Sequence, residues 1–264
     1  MYEVDLPEEI RVKIGDENYE YDCIGMSESS ILLFSDKVLK IREVSEEADH
    51  EVQALNWLEG KLSAPRVIAH ECVEGKSYLL MTRVSDRMAC DEYYLKDPQR
   101  LTDLLAQALR ELWKVDISDC PLNWTLDRKL EVAQYNVDNG LVDMENVEAE
   151  TFGPNGFKDP QDLLQWLIDH KPAEELVLSH GDFCLPNILF KNDGTVSFID
   201  LGRTGVADKW QDIALCYRSL KDNYIGKYAG KEYPAYDPEM LFEKLGITPD
   251  WEKIRYYILL DELF

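Results

Sequence analysis

Between residues 179 and 203 the chain reads SHGDFCLPNILFKNDGTVSFIDLGR, which spaces three oxygen-bearing side chains, Asp182, Asn187 and Asp200, across one predicted loop and hairpin. A hard cation such as magnesium takes oxygen ligands and keeps several waters, so one amide oxygen, one carboxylate and a substrate's phosphates suffice to hold it. Asn187 and Asp200 offer that pair. Phosphoryl transfer asks the protein mainly for metal, fixed cations and a positioned acceptor, with one carboxylate receiving or orienting the attacking hydroxyl. Asp182 fits that role. Singly, each piece is ordinary: Gly-Asp is a common turn, a loop Asn satisfies backbone groups, and Asp-Leu-Gly can be a strand exit. The series at this spacing points to a magnesium-nucleotide site.

Such a site also calls for a lysine on an upstream strand and an acid on the helix that follows. Val38-Leu39-Lys40-Ile41 reads as a strand carrying Lys40. Glu46 to Gly60 repeats Val52, Leu55 and Leu58 at helical spacing, stops at a glycine and carries Glu51, the expected partner of Lys40. Around Asp182, the apolar runs Leu176 to Leu178, Ile188 to Phe190 and Val196 to Ile199 are separated by His-Gly-Asp and by Asn192-Asp193-Gly194, the pattern of strands and a tight turn.

The elements that must hold these residues change character along the chain. Val12 to Ile14, Tyr19 to Ile24, Ile31 to Phe34, Val38 to Ile41 and Ser77 to Thr82 read as strands. Beyond residue 98, Pro98 to Asp116, Leu126 to Asn139, Asp159 to His170, Asp208 to Leu220 and Pro238 to Leu245 read as helices. A last helix is expected to start at Thr248-Pro249-Asp250, with Thr248 as cap and Pro249 at the first helical position, and with Trp251, Ile254 and Ile258 on its apolar face; Asp261 and Glu262 crowd its negative end, where the macrodipole favours cations and an unmet cation is expected. The class is therefore α+β, with a strand-rich lobe over residues 1–84, a helical lobe over 85–264, and a site expected in the crease.

With 28 Lys and Arg against 52 Asp and Glu, the net charge of -24 favours cationic partners and opposes nucleic acid. The same surplus is also a common route to solubility. The six cysteines show no CxxC or Cys/His metal spacing, and His50, His70 and His170 have no evident partners in the sequence. No apolar run approaches the ~20 residues of a membrane span, and the acidic amino terminus does not read as a signal peptide, so a cytoplasmic protein is expected.

The series from His180-Gly181-Asp182 through Asn187 to Ile199-Asp200-Leu201-Gly202-Arg203, the run Trp57 to Leu62, and the ending Trp251 to Phe264 together resemble bacterial aminoglycoside 3′-phosphotransferases, particularly type III, over nearly the whole chain. The core motifs alone define only a superfamily of small-molecule kinases with a protein-kinase-like two-lobed fold. The resemblance implies ATP-dependent O-phosphorylation of an aminoglycoside at the 3′-hydroxyl, conferring antibiotic resistance. It implies Asp182 as catalytic base, Asn187 and Asp200 on Mg2+, and Lys40 on the nucleotide phosphates with Glu51 holding it. Ser27 falls in the phosphate-covering loop, and Thr82, Val84, Leu189 and Ile199 line the nucleotide. On the substrate side it implies Arg203, Glu148, Glu150, Asp261, Glu262 and Phe264. Val38 stands where type III has an aromatic residue against the base, which leaves ATP or GTP open, and Tyr224 to Asp237 is longer than the type III segment. The alternatives are a kinase of another hydroxylated or cationic metabolite, of choline, homoserine or sugar type, and a non-catalytic kinase-like binder.

Overall fold

Where it is first described, the chain forms a helix, α1 (Glu8–Ile14), rather than the strand expected at Val12 to Ile14. Ile10 and Ile14 are buried one helical turn apart while Val12 is 72% exposed, so the apolar residues repeat at helical and not at alternating spacing. The computed structural model describes residues 6–21, 29–148, 150–228, 230–233 and 236–264. Ser27, and the strand expected beyond Tyr21, lie outside them. Contacts divide the chain into two units, Met1–Arg87 with Ile188–Arg203, and Met88–Asn187 with Thr204–Phe264.

In the first unit, β1 (Glu20–Tyr21), β2 (Ser30–Leu33), β3 (Lys37–Glu43), β4 (Val67–Val73) and β5 (Lys76–Thr82) form one antiparallel sheet in the order β1-β2-β3-β5-β4. The two-residue strand β6 (Arg87–Met88) falls at the division. Leu32, Leu39, Ile41, Ala69, Tyr78 and Leu80 from the sheet join Ile10 and Ile14 of α1 in one core. Helix α2 (Glu46–Leu58) begins where the Ser45 hydroxyl accepts the Ala48 N–H at 3.1 Å and buries Ala48, Glu51, Ala54, Leu55 and Leu58.

The second unit is mainly helical: α3 (Glu92–Leu95), α4 (Pro98–Trp113), α5 (Leu126–Asn139) and α6 (Pro160–Asp169), then β7 (Leu176–Ser179) and a 3-10 turn (Leu185–Asn187). In the first unit β8 (Ile188–Phe190) and β9 (Val196–Phe198) pair as a hairpin, closed by Asp193, whose carboxylate accepts the Thr195 N–H at 2.9 Å, and by Gly194 at φ +86°. The second unit resumes with β10 (Gly205–Asp208), α7 (Lys209–Tyr224), α8 (Met240–Leu245) and α9 (Trp251–Asp261). Leu101, Leu105, Leu109 and Leu112 make the fully buried stripe of α4.

Strand β7 pairs with β10, a strand the sequence reading did not expect. Gly205 opens β10 against Leu122, so close that a Cβ there would lie 2.7 Å from the Leu122 carbonyl oxygen. Helix α9 also differs from expectation. Asp250 rather than Thr248 caps it, accepting the Lys253 N–H at 3.0 Å, and the buried residues are Ile254, Tyr256, Tyr257, Leu259 and Leu260, with Trp251 exposed. Among the described residues no helix is long and apolar enough to cross a membrane.

Candidate active site

Lys40 sits on β3, opposite Ile31 of β2 and Leu79 of β5, with only 6% of its surface exposed. A buried ammonium demands anionic partners. Lys40 has two within its own unit: Glu51 at 3.0 Å and Asp200 at 2.7 Å. Burial alone would lower the Lys40 pKa, but Glu51 and then Asp200 outweigh it and the net direction is up, so the cation is retained. Asp200 follows β9 at φ +58°, a left-handed backbone in a residue other than glycine, and exposes its carboxylate.

Glu51 holds a second cation. The Arg42 guanidinium donates to the same carboxylate at 3.0 Å, and to the Glu47 carbonyl and carboxylate at 2.8 and 3.2 Å. Burial pushes the Glu51 carboxyl up, and the two cations in contact with it, Lys40 and Arg42, act against that. Arg42 was missed in the sequence although it lies two residues after Lys40, hence on the same face of the strand. Arg203 pairs with Glu47 at 3.5 Å in this unit. Thr82 ends β5, its hydroxyl accepting the Arg66 N–H at 2.9 Å; Val84 lies just beyond, Leu189 is buried in β8, and Ile199 is half-buried.

In the second unit Asp182 lies between β7 and the 3-10 turn. Asn187 gives its amide N–H to the Asp182 carboxylate at 2.8 Å and to the Asp182 carbonyl at 3.2 Å. The Asn187 carbonyl oxygen is thereby the atom left for a cation. It and, in the first unit, the Asp200 carboxylate are each an oxygen donor of the type a hard divalent ion takes, so each residue fits magnesium in type.

What fixes the Asp182 loop is a residue the sequence reading passed over. Asp212, in the first turn of α7 and wholly buried, accepts from the Ser179 hydroxyl at 2.9 Å, the His180 N–H at 2.8 Å and the Gly181 N–H at 3.0 Å. Burial pushes its carboxyl up, opposed by His180 and by the donors themselves. Gln211 adds a bond to the Gly181 carbonyl at 2.7 Å and is itself gripped by buried Lys129; Thr204 donates to the His180 carbonyl at 2.9 Å. His180 is fully buried, its ring facing the Asp182 N–H at 3.3 Å, which places it in the loop's framework. The other histidines do have partners: His70 meets Ser77 at 3.0 Å and the Cys72 thiol at 3.7 Å, and His170 stacks on Trp166.

The acidic end of α9 is satisfied within the same unit. Arg218 of α7 pairs with Asp261 at 2.5 Å, so the cation expected to be missing there is supplied by the chain. Glu262 is buried and accepts the Glu148 N–H at 3.0 Å, Asn136 donates to the Leu263 carbonyl at 2.9 Å, and Phe264 sets its ring edge-on to Trp124. Burial pushes the Glu262 carboxyl up to about 7. Cys184 is also driven upward, first by burial and then by Asp182, with Asp261 acting in the same sense and Arg218 against it, so it is an inert thiol beside the Asp182 loop. Glu150 is exposed, preceding a turn in which Phe157 N–H bonds the Thr151 carbonyl at 2.8 Å.

Residues 31–257 match the model of a phosphotransferase enzyme family. The chain belongs to that family, and its fold is the protein-kinase-like α+β arrangement expected. Among its curated relatives are proteins named aminoglycoside 3′-phosphotransferase. One, from Enterococcus faecalis, is 42% identical over 92% of this chain and 88% of its own length. Another, from Staphylococcus aureus, is 42% identical over 91% and 88%. Among solved structures, aminoglycoside phosphotransferase APH(3'')-Id from Streptomyces rimosus shares the fold at a TM-score of 0.79, with 23% identity over 96% of this chain and 95% of that one.

Proposed function

We propose that the chain transfers the γ-phosphate of ATP to the 3′-hydroxyl of an aminoglycoside and so confers resistance to it in the cytoplasm. The observation that carries this reading is the likeness, along nearly the full length, to relatives bearing that name; the Lys40–Glu51 ion pair and the Asn187–Asp182 bond are in keeping with it. Asp182, steadied by Asn187 and by the loop that Asp212 holds, orients the acceptor hydroxyl and takes its proton. Lys40 neutralises nucleotide phosphate while Glu51, shared with Arg42, keeps the ammonium in place. Asn187 and Asp200 are the proposed magnesium ligands; the bound ion would screen phosphate charge. Ser27 is assigned to covering the phosphates, and Thr82, Val84, Leu189 and Ile199 to contacts with the nucleoside. Residues 1–84 form the nucleotide lobe in this reading and 85–264 the catalytic and substrate lobe. Glu148, Glu150, Asp261, Glu262 and Phe264 are assigned to the cationic acceptor, with Arg203 as an organising counter-ion.

A coupled nucleotide-turnover assay with kanamycin, neomycin, choline and homoserine tests the assignment, with ATP and GTP compared as donors. Stimulation by the aminoglycosides alone is expected. Stimulation by choline or homoserine instead would make this a metabolite kinase, and turnover with none of them a binding protein. Asp182→Asn should lower kcat by a factor on the order of 10² or more with little change in nucleotide affinity; near-normal turnover removes Asp182 as the base.

A further inference from the structure

Two of the chain's own cations lie among the carboxylates of the second unit, and they differ in kind. Arg218 is 19% exposed and locked on Asp261. Lys227 is 40% exposed and reaches Glu148 at 2.6 Å and Asp222 at 3.0 Å. Its position follows from the end of α7: the Lys227 N–H bonds the Asp222 carbonyl at 3.0 Å, which sets the ammonium beside the negative end of the helix. Tyr228 completes the group, its hydroxyl donating to Asp222 at 3.3 Å. Lys227 thereby joins Asp222 and Tyr228 to Glu148, which the proposed function assigns to the acceptor. Glu148 is held from the other side as well, through its N–H on Glu262.

We propose that Lys227 is a specificity-determining residue, an internal ammonium that occupies the Glu148–Asp222 carboxylate pair and withholds it from one ammonium group of the acceptor. The identity of that acceptor rests on the reading above. A lysine is suited to this role because its compact charge on a flexible stem can swing into water, whereas the forked guanidinium of Arg218 cannot leave without stranding Asp261. An acceptor must either displace Lys227 or bind without this subsite. The number and placement of its amino groups therefore decide how much it loses.

The test compares wild type with Lys227→Met, Lys227→Arg and the double variant Lys227→Met/Glu148→Gln. In the coupled assay at low salt, Lys227→Met should lower KM for neomycin about fivefold, and less for kanamycin, which has fewer amino groups, with kcat unchanged. Lys227→Arg should show no such gain, its KM at or above the wild-type value, and the double variant should lose the gain. High salt should shrink the difference. An unchanged KM, a gain that survives in the double variant, or a joint fall of kcat and thermal midpoint would overturn the inference, the last by showing a structural ion pair. Calorimetry with the polyamine spermine reads the same pair without turnover, and Lys227→Met should bind it more tightly. If wild type turns over no aminoglycoside, the proposed function fails; tighter spermine binding by Lys227→Met would still sustain the role of Lys227, and equal binding would end it.

Discussion

Replacing Asp212 by asparagine keeps the shape of the side chain and removes its charge, which isolates what the carboxylate does for the Asp182 loop. One of its oxygens accepts from Ser179 and Gly181, the other from His180. An amide has one oxygen. Turned toward Ser179 and Gly181, it keeps two bonds and sets its NH2 against the buried His180 N–H. The loss is one charge-assisted bond plus one unsatisfied buried donor, each worth about 1–3 kcal/mol. Burial opposes the charged carboxylate, and the neutral amide recovers part of that. The net expectation is a destabilisation of about 3 kcal/mol, read as a lower denaturation midpoint. Among the described residues, the hydrogen bonds of Asp212 go to the backbone and the hydroxyl that shape the loop, so kcat should fall by at least tenfold while nucleotide affinity holds. A variant with wild-type midpoint and wild-type kcat would refute the idea that this carboxylate fixes the loop.

Other consequences are open to direct measurement. The Glu262 carboxyl has a folded-state pKa of about 7 against 4.5 for the free group, so between those values the folded state binds a proton that the unfolded chain has released. Stability should therefore fall as pH rises through that window, by on the order of 3 kcal/mol in all, and denaturation of Glu262→Gln should lack this component. Arg42→Met removes one of the two cations on Glu51; a loss of about 1–2 kcal/mol and a several-fold rise in nucleotide KM are expected, and an unchanged KM would separate Arg42 from the Lys40 site. Gly205→Ala places a Cβ 2.7 Å from the Leu122 carbonyl oxygen, and a destabilisation of about 1–3 kcal/mol should appear in thermal denaturation.

Much of this arrangement is legible in the chain because it is written locally. Helix α5 was read within its observed limits from its helical pattern, and α2 from its periodicity and Gly60. The pairing of Lys40 with Glu51 followed from a strand lysine and a helix acid close together in sequence. What escaped depends on distance along the chain. Asp212 serves backbone groups some thirty residues earlier, and a backbone N–H has no letter in a sequence. Strand β10 is too short and too mixed to announce itself, and its place comes from Gly205 yielding to Leu122. Strand β4 carries His70 and Cys72 in half-exposed positions, so its alternation is blurred. The Arg218–Asp261 pair joins α7 to α9, and neither residue betrays the other.

Lys40 and Asp200, 2.7 Å apart, are each other's rivals for any charged guest. An anion that draws the ammonium away leaves Asp200 readier for a cation, and a cation seated on Asp200 leaves the ammonium readier for an anion. By reciprocity the two gains are equal. If Lys40 and Asp200 hold the roles proposed for them, this contact discourages either ion from settling alone and rewards their arrival together.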